Sequence, residues 1–168
     1  MEIVLAAIIL AASAAQAVSP PGRRSQDAAA ERPAAPTVLF MCPHGAAKSV
    51  LASAYFQRLA RERGLNVRVI TAGTEPDPEI APKVAAHLKK QGYELPVTKP
   101  RRVAADDLAA ADVVVSIGCS LEGLPPARAP VRQWDDVPAP SEDFNGADEK
   151  IRERVIALID ELVRRQRQ

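Results

Sequence analysis

TVLFMCPHGAAKSVLASAY, residues 37–55, is the stretch from which the rest of the chain can be read. Thr37 to Met41 is a short apolar run, partly β-branched, of the kind that forms a strand buried on both faces. From Val50 the apolar residues recur at helical spacing through Leu51, Tyr55 and Leu59. Strand, tight loop and helix is therefore the local order. The loop, Cys42 to Ser49, is built largely from small residues, which let backbone N–H groups converge at the start of the helix. Such a nest binds anions. A thiol at its lip has its thiolate stabilised by the helix N-terminus and by the Lys48 cation. It can then attack the central atom of an oxyanion held beside it. Cys42 is the candidate nucleophile, and Lys48 and Ser49 are candidate catalytic partners. His44, Gly45, Ala46 and Ala47 are the candidate oxyanion-binding positions, whereas Pro43 removes one N–H donor.

Working outward, Gly64 stops the first helix and Asn66 to Thr71 supplies a second strand, which makes a parallel βαβ unit. Ala72 to Pro78 is a largely polar loop at the carboxyl end of that strand, the edge on which open α/β sheets place ligands. Pro82 opens a helix that runs to about Gln91, and a short helix spans Ala104 to Ala111. The most hydrophobic strand follows at Asp112 to Gly118. Because Val113 to Val115 is continuous rather than alternating, that strand is expected to be central and parallel. Val131 to Trp134 is the fourth strand, and Ala147 to Arg165 an amphipathic helix with Ile151, Val155, Leu158, Ile159 and Leu162 on one stripe. The expected fold is α/β, a four-stranded parallel sheet flanked by helices on both faces. Cys119 then emerges at the same sheet edge as Cys42, and a buried structural thiol is the reading its residue type alone offers.

The loop resembles the signature of the low-molecular-weight protein tyrosine phosphatase superfamily, and especially its arsenate reductase branch. That signature is a cysteine, five residues, an arginine and a Ser or Thr between a strand and a helix. Here it reads Cys42, five residues, Lys48 and Ser49, so a planar fork is replaced by a point charge. Gly45 stands where the family usually has a left-handed asparagine, a conformation glycine reaches without strain. Further similarity runs through Thr71-Ala-Gly-Thr-Glu-Pro76, Lys99-Pro100, Gly118-Cys119 and Trp134-Asp-Asp136, in the family's order. The resemblance implies a low-molecular-weight-phosphatase-like fold and an enzyme acting on arsenate or a phosphate monoester. It also implies that Cys119 attacks Cys42 after arsenate has reacted, although no further cysteine follows it. An external thiol reductant is the other resolving group. The segment from Asp135 to Pro140 resembles the family's general-acid loop, in which an Asp precedes Pro. If the Trp134 end is the equivalent, Asp135 or Asp136 is the acid; if the Pro140 end is, Ala139 occupies the position and the acid is lost.

The length suits one domain at 37–168 with a sizeable core. A net charge of +1, with no basic block interleaved with aromatics, argues against a nucleic-acid partner. Two cysteines and two histidines, His44 and His87, show no metal-ligand spacing, so neither a metal nor a bound cofactor is expected. Residues 1–17 form an apolar run ending in Ala15-Gln16-Ala17, which reads as a signal peptide or N-terminal anchor too short for a stable membrane span. Residues 18–36 read as a disordered linker. The protein is expected to be exported, to the periplasm or beyond, if that signal is genuine, and cytoplasmic otherwise.

Overall fold

The computed structural model describes residues 35–167; the Met1–Ala17 run and residues 18–34 of the linker lie outside them. The elements follow the order β1 (Thr37–Cys42), α1 (Lys48–Glu62), β2 (Arg68–Gly73), α2 (Pro82–Lys90), α3 (Ala105–Ala110), β3 (Val113–Ser116), β4 (Val131–Gln133) and α4 (Phe144–Gln166). All four strands are parallel in the order β2-β1-β3-β4. The two strands with continuous apolar runs, β1 and β3, are the interior ones and are buried throughout. An interior strand presents both faces to protein, which is why neither alternates polar with apolar.

Both faces of the sheet are covered. Val38, Phe40, Val113 and Val115 pack under α1, α2 and α4, with Phe40 edge-on to Phe56 at 5.4 Å. Leu39, Met41 and Val114 face the other way, toward Leu108 of α3 and the chain around Leu121 and Leu124. A buried hydrogen bond from Thr71 Oγ1 to Ser53 Oγ, 2.7 Å, ties β2 to α1. Pro36 marks where the chain joins the sheet, its carbonyl accepting from Arg68 N at 2.9 Å.

The last helix begins at Phe144, three residues before the expected start. Asp143 caps it by accepting from Gly146 N at 2.9 Å, and Phe144 is buried, so Asn145 and Gly146 belong to a helical turn rather than to a loop. Behind the sheet, α1, α2 and α4 share one polar cluster. The Tyr55 hydroxyl donates to Asp148, approaches His87 Nε2 at 3.2 Å and accepts from Arg152 at 3.0 Å. Burial, reinforced by Asp148, pushes the Tyr55 phenol well above the usual tyrosine range. Among the described residues no helix is long and apolar enough to cross a membrane.

The register fixes where chemistry can occur. Cys42 ends β1 level with Gly73 of β2, and Met41 pairs with Ser116 of β3. The carboxyl ends of three strands thus meet at the loop that follows Cys42, the usual ligand edge of an open parallel sheet.

Candidate active site

Cys42 is 2% exposed and its sulfur lies at the foot of α1. The thiol donates to Ser49 Oγ at 3.2 Å, and the Ser49 backbone N–H donates to the sulfur at 3.4 Å. Ser49 is fully buried, so these contacts are shielded from water. A thiolate at the same place would keep the amide contact and could turn the hydroxyl into a second donor. Cys42 and Ser49 are seven residues apart, and only the tight turn between them brings the two together.

The turn is oriented by what holds its carbonyls. Those of Cys42, Pro43, His44 and Ala46 accept from the N–H groups of Thr74, Glu75, Asp77 and Ala81, at 3.3, 2.8, 3.0 and 3.0 Å. The chain after β2 thus fastens the outer side of the loop. The N–H groups of His44 through Lys48 donate to no acceptor among the described residues. α1 starts from Ala47 with no side-chain cap and no acidic residue in its first turn, so the helix sets no carboxylate of its own against this positive end. A run of free N–H groups at a helix N-terminus, next to a buried sulfur, is chemically an oxyanion cradle.

Close packing explains the two glycines of this region. Gly45 has φ +61°, and a Cβ there would stand 2.9 Å from Gly73 N. A Cβ on Gly73 would stand 2.6 Å from Gly45 N. Gly45 therefore answers two demands, the left-handed backbone expected from the sequence and a backbone-to-backbone approach that the sequence did not reveal.

Lys48 is the first residue of α1, and its side chain crosses toward the end of β3, where Nζ lies over Gly118. Cys119 follows. Its sulfur contacts Ser116 Oγ at 3.1 Å, and the same hydroxyl donates to the Cys119 carbonyl at 3.1 Å. Burial pushes the Cys119 thiol up, and the Ser116 hydroxyl offsets this only in part; Cys42 raises it further and Lys48 lowers it. Both cysteines are free. They share one sheet edge but not one layer: Cys42 packs with α1 and α4, whereas Cys119 packs with Leu39, Met41 and Leu121 on the other face.

Above the loop opens a cleft of about 380 Å³. Cys42, His44, Ala46, Ala47 and Lys48 form its floor, and Ala81, Val84, Pro140 and Phe144 an apolar wall. Asp77 and Lys83 bring charge to it, with Lys83 Nζ 4.6 Å from the centre of the Phe144 ring. The two candidate acids of the fourth loop are not among its lining residues. Asp135 is exposed, and Asp136 is drawn to α4, 2.5 Å from Arg154 and 3.7 Å from Lys150. Arg154 holds the Asp136 carboxyl below the usual range. Ala139, directly before Pro140, takes the place at the cleft. Asp77 was not singled out from the sequence, although an acidic residue before Pro78 on the ligand edge of β2 was a visible signal. Lys83 and Phe144 carried none. Among the described residues no group of three His, Cys, Asp or Glu side chains is placed to hold a metal.

Residues 37–124 match the sequence profile of the low molecular weight phosphotyrosine protein phosphatase family. A Halobacterium salinarum protein named "Putative arsenate reductase" is 31% identical over 127 residues, covering 73% of this chain and 89% of its own. Among solved structures, the thioredoxin-dependent arsenate reductase of Corynebacterium glutamicum superposes with a TM-score of 0.65 at 28% identity, over 76% of this chain. The match spans 61% of that reductase's length. The arsenate reductase of Archaeoglobus fulgidus superposes with a TM-score of 0.56 at 27% identity, over 75% of this chain and 98% of its own. With the parallel sheet, the cysteine loop and these likenesses agreeing, the chain belongs to the low-molecular-weight phosphotyrosine protein phosphatase family of enzymes, whose relatives include arsenate reductases.

Proposed function

We propose that this protein is an arsenate reductase in which Cys42 is the nucleophile, the N–H groups of His44 to Lys48 hold the oxyanion, and Lys48 and Ser49 assist. The observation that carries this reading is the loop whose carbonyls are fastened outward while five consecutive N–H groups beside the Cys42 sulfur have no described protein acceptor. Preorganised donors of this kind favour charge that develops on oxygen during transfer. Cys42 sulfur bonds to arsenic, and one arsenic oxygen leaves as water. A second thiol then attacks the Cys42 sulfur, a disulfide forms, and the electron pair of the S–As bond stays on arsenic, which is reduced from the +5 to the +3 state. The second thiol is Cys119 or an external thiol reductant.

The cleft supports a second reading, phosphotyrosine hydrolysis. Its volume and its wall of Val84, Pro140 and Phe144 suit a ring attached to the phosphate. The apolar run at residues 1–17 supports export, and the mass of the mature protein, beginning at Val18, tests that.

Arsenate with small-thiol and thioredoxin-type donors, assayed beside an aryl phosphate, decides between the two enzymes. Arsenite release that vanishes in Cys42→Ser is the expected result. Aryl phosphate turnover alone would select the phosphatase. Arsenate protection of Cys42 from alkylation, with no turnover of either substrate, would leave a catalytically weakened oxyanion-binding module.

A further inference from the structure

Loss of an oxygen from arsenic, or of a weakly acidic alcohol or phenol from phosphorus, is helped by a proton at the departing oxygen. The fourth loop offers Ala139 at the cleft, and Asp136 is engaged by Arg154 and Lys150. The cleft nevertheless contains one carboxylate and one imidazole. His44 Nδ1 lies 3.3 Å from Asp77 Oδ1, and both residues line the cleft that Cys42 also lines. The backbone couples them as well, because Asp77 N donates to the His44 carbonyl at 3.0 Å. Glu75 N on the Pro43 carbonyl and Ala81 N on the Ala46 carbonyl hold the same two segments together on either side. The pair is therefore built into the clasp that shapes the oxyanion loop.

From this geometry we propose that His44 and Asp77 form the proton-delivering pair of the reaction, with His44 as the acid and Asp77 as the residue that positions it. The proposal rests on the reading of Cys42 as nucleophile. The Asp77 carboxylate stands beside Nδ1, where its charge favours the protonated ring, and Nε2, with no hydrogen-bond partner among the described residues, is left for the substrate. In the aryl phosphate reaction the S–P bond forms as the P–O bond breaks, and the Nε2 proton goes to the phenolic oxygen. In the arsenate reaction the S–As bond forms, the As–O bond breaks, and the same proton completes the departing water. The imidazole is left neutral and regains its proton from solvent. The His44 and Asp77 side chains are 63% and 50% exposed, so that exchange meets no barrier of burial.

A proton donor matters most when the leaving group is poor, and this separates chemistry from structure. The test compares kcat/KM for phenyl phosphate and for 2,4-dinitrophenyl phosphate, whose leaving group needs no proton, in the full chain and in His44→Ala and Asp77→Asn. With phenyl phosphate, His44→Ala should lose on the order of 10²- to 10³-fold and Asp77→Asn on the order of 10-fold, whereas the dinitrophenyl ester should lose less than about 10-fold in either. Added imidazole should restore part of the phenyl phosphate rate to His44→Ala and none to Asp77→Asn. Equal losses on the two esters, no loss on either, or absence of imidazole rescue would overturn the pair while leaving Cys42 as nucleophile. A wild-type protein inert toward both esters and arsenate would overturn the pair together with the reading beneath it.

Discussion

Lys48 Nζ lies so close over Gly118 that a Cβ on that glycine would stand 2.7 Å from it. The loop cation is thereby seated against the turn that leads to Cys119, rather than free in solvent. Gly118 also has φ +65°, a conformation that costs other residues about 1–2 kcal/mol. Gly118→Ala should therefore lower stability by about that amount, since the flexible Lys48 tip can move aside. It should also weaken arsenate protection of Cys42, because the amine would be displaced. Denaturant titration reads the first effect and alkylation under arsenate the second; unchanged protection would show that Lys48 does not depend on this seat.

Replacing Lys48 by arginine should raise aryl phosphate turnover, by about tenfold if one further charge-assisted contact adds about 1.4 kcal/mol in the transition state. Lys48→Ala should lose activity. Steady-state kinetics on the three proteins suffices, and a loop that prefers alanine to arginine would not be built for oxyanions.

Ser49 holds the Cys42 sulfur through both its hydroxyl and its amide. Ser49→Ala removes only the first. A hydrogen bond to a charged group contributes about 1.5–3 kcal/mol, so turnover should fall by roughly 10- to 150-fold with the loop otherwise intact. A loss below about threefold would mean that the amide alone suffices.

Cys119 is buried with its thiol pushed upward, so its reactive thiolate becomes abundant only above the free-cysteine midpoint of about 8.5. If Cys119 is the resolving thiol, disulfide formation between Cys42 and Cys119 in a single turnover on arsenate without added thiol should accelerate as pH rises through that range. Ser116→Ala, which removes the contact that lowers this value, should shift the profile further upward. Peptide mapping against time at several pH values measures both, and a rate already maximal at pH 7 would contradict the placement of Cys119.

Neither Asp135 nor Asp136 lines the cleft, so Asp135→Asn and Asp136→Asn should retain turnover of poor and good leaving groups alike. The Asp136 carboxyl is held low by Arg154, and any stability it contributes is present above the unfolded carboxylate value of about 3.9 and lost as pH falls through the lower folded value. Comparing acid unfolding of wild type and Asp136→Asn checks this without reference to activity.

Local pattern alone settled the order of elements, the two interior strands and the cysteine loop. A continuous Val113–Val115 run and an apolar Val38–Met41 run can be satisfied only by strands covered on both faces, and small residues between a strand and a helix leave N–H groups to converge. The start of α4 was hidden because Asn145 and Gly146 look like loop until Asp143 is seen to cap them. What only the tertiary structure decided are relations between distant positions. Gly73 must be glycine because Gly45 approaches it, and neither position encodes the other. Asp136, a candidate acid by sequence, is paired with Arg154 of the facing helix, a partner no local pattern names. Cys119 reaches the edge expected of it, yet the left-handed turn at Gly118 delivers its thiol to the opposite layer from Cys42. Strand and helix periods are written in neighbouring residues, whereas a cleft is lined by whichever side chains the crossovers bring together. His44 and Asp77 met only when the chain after β2 closed on the loop after β1.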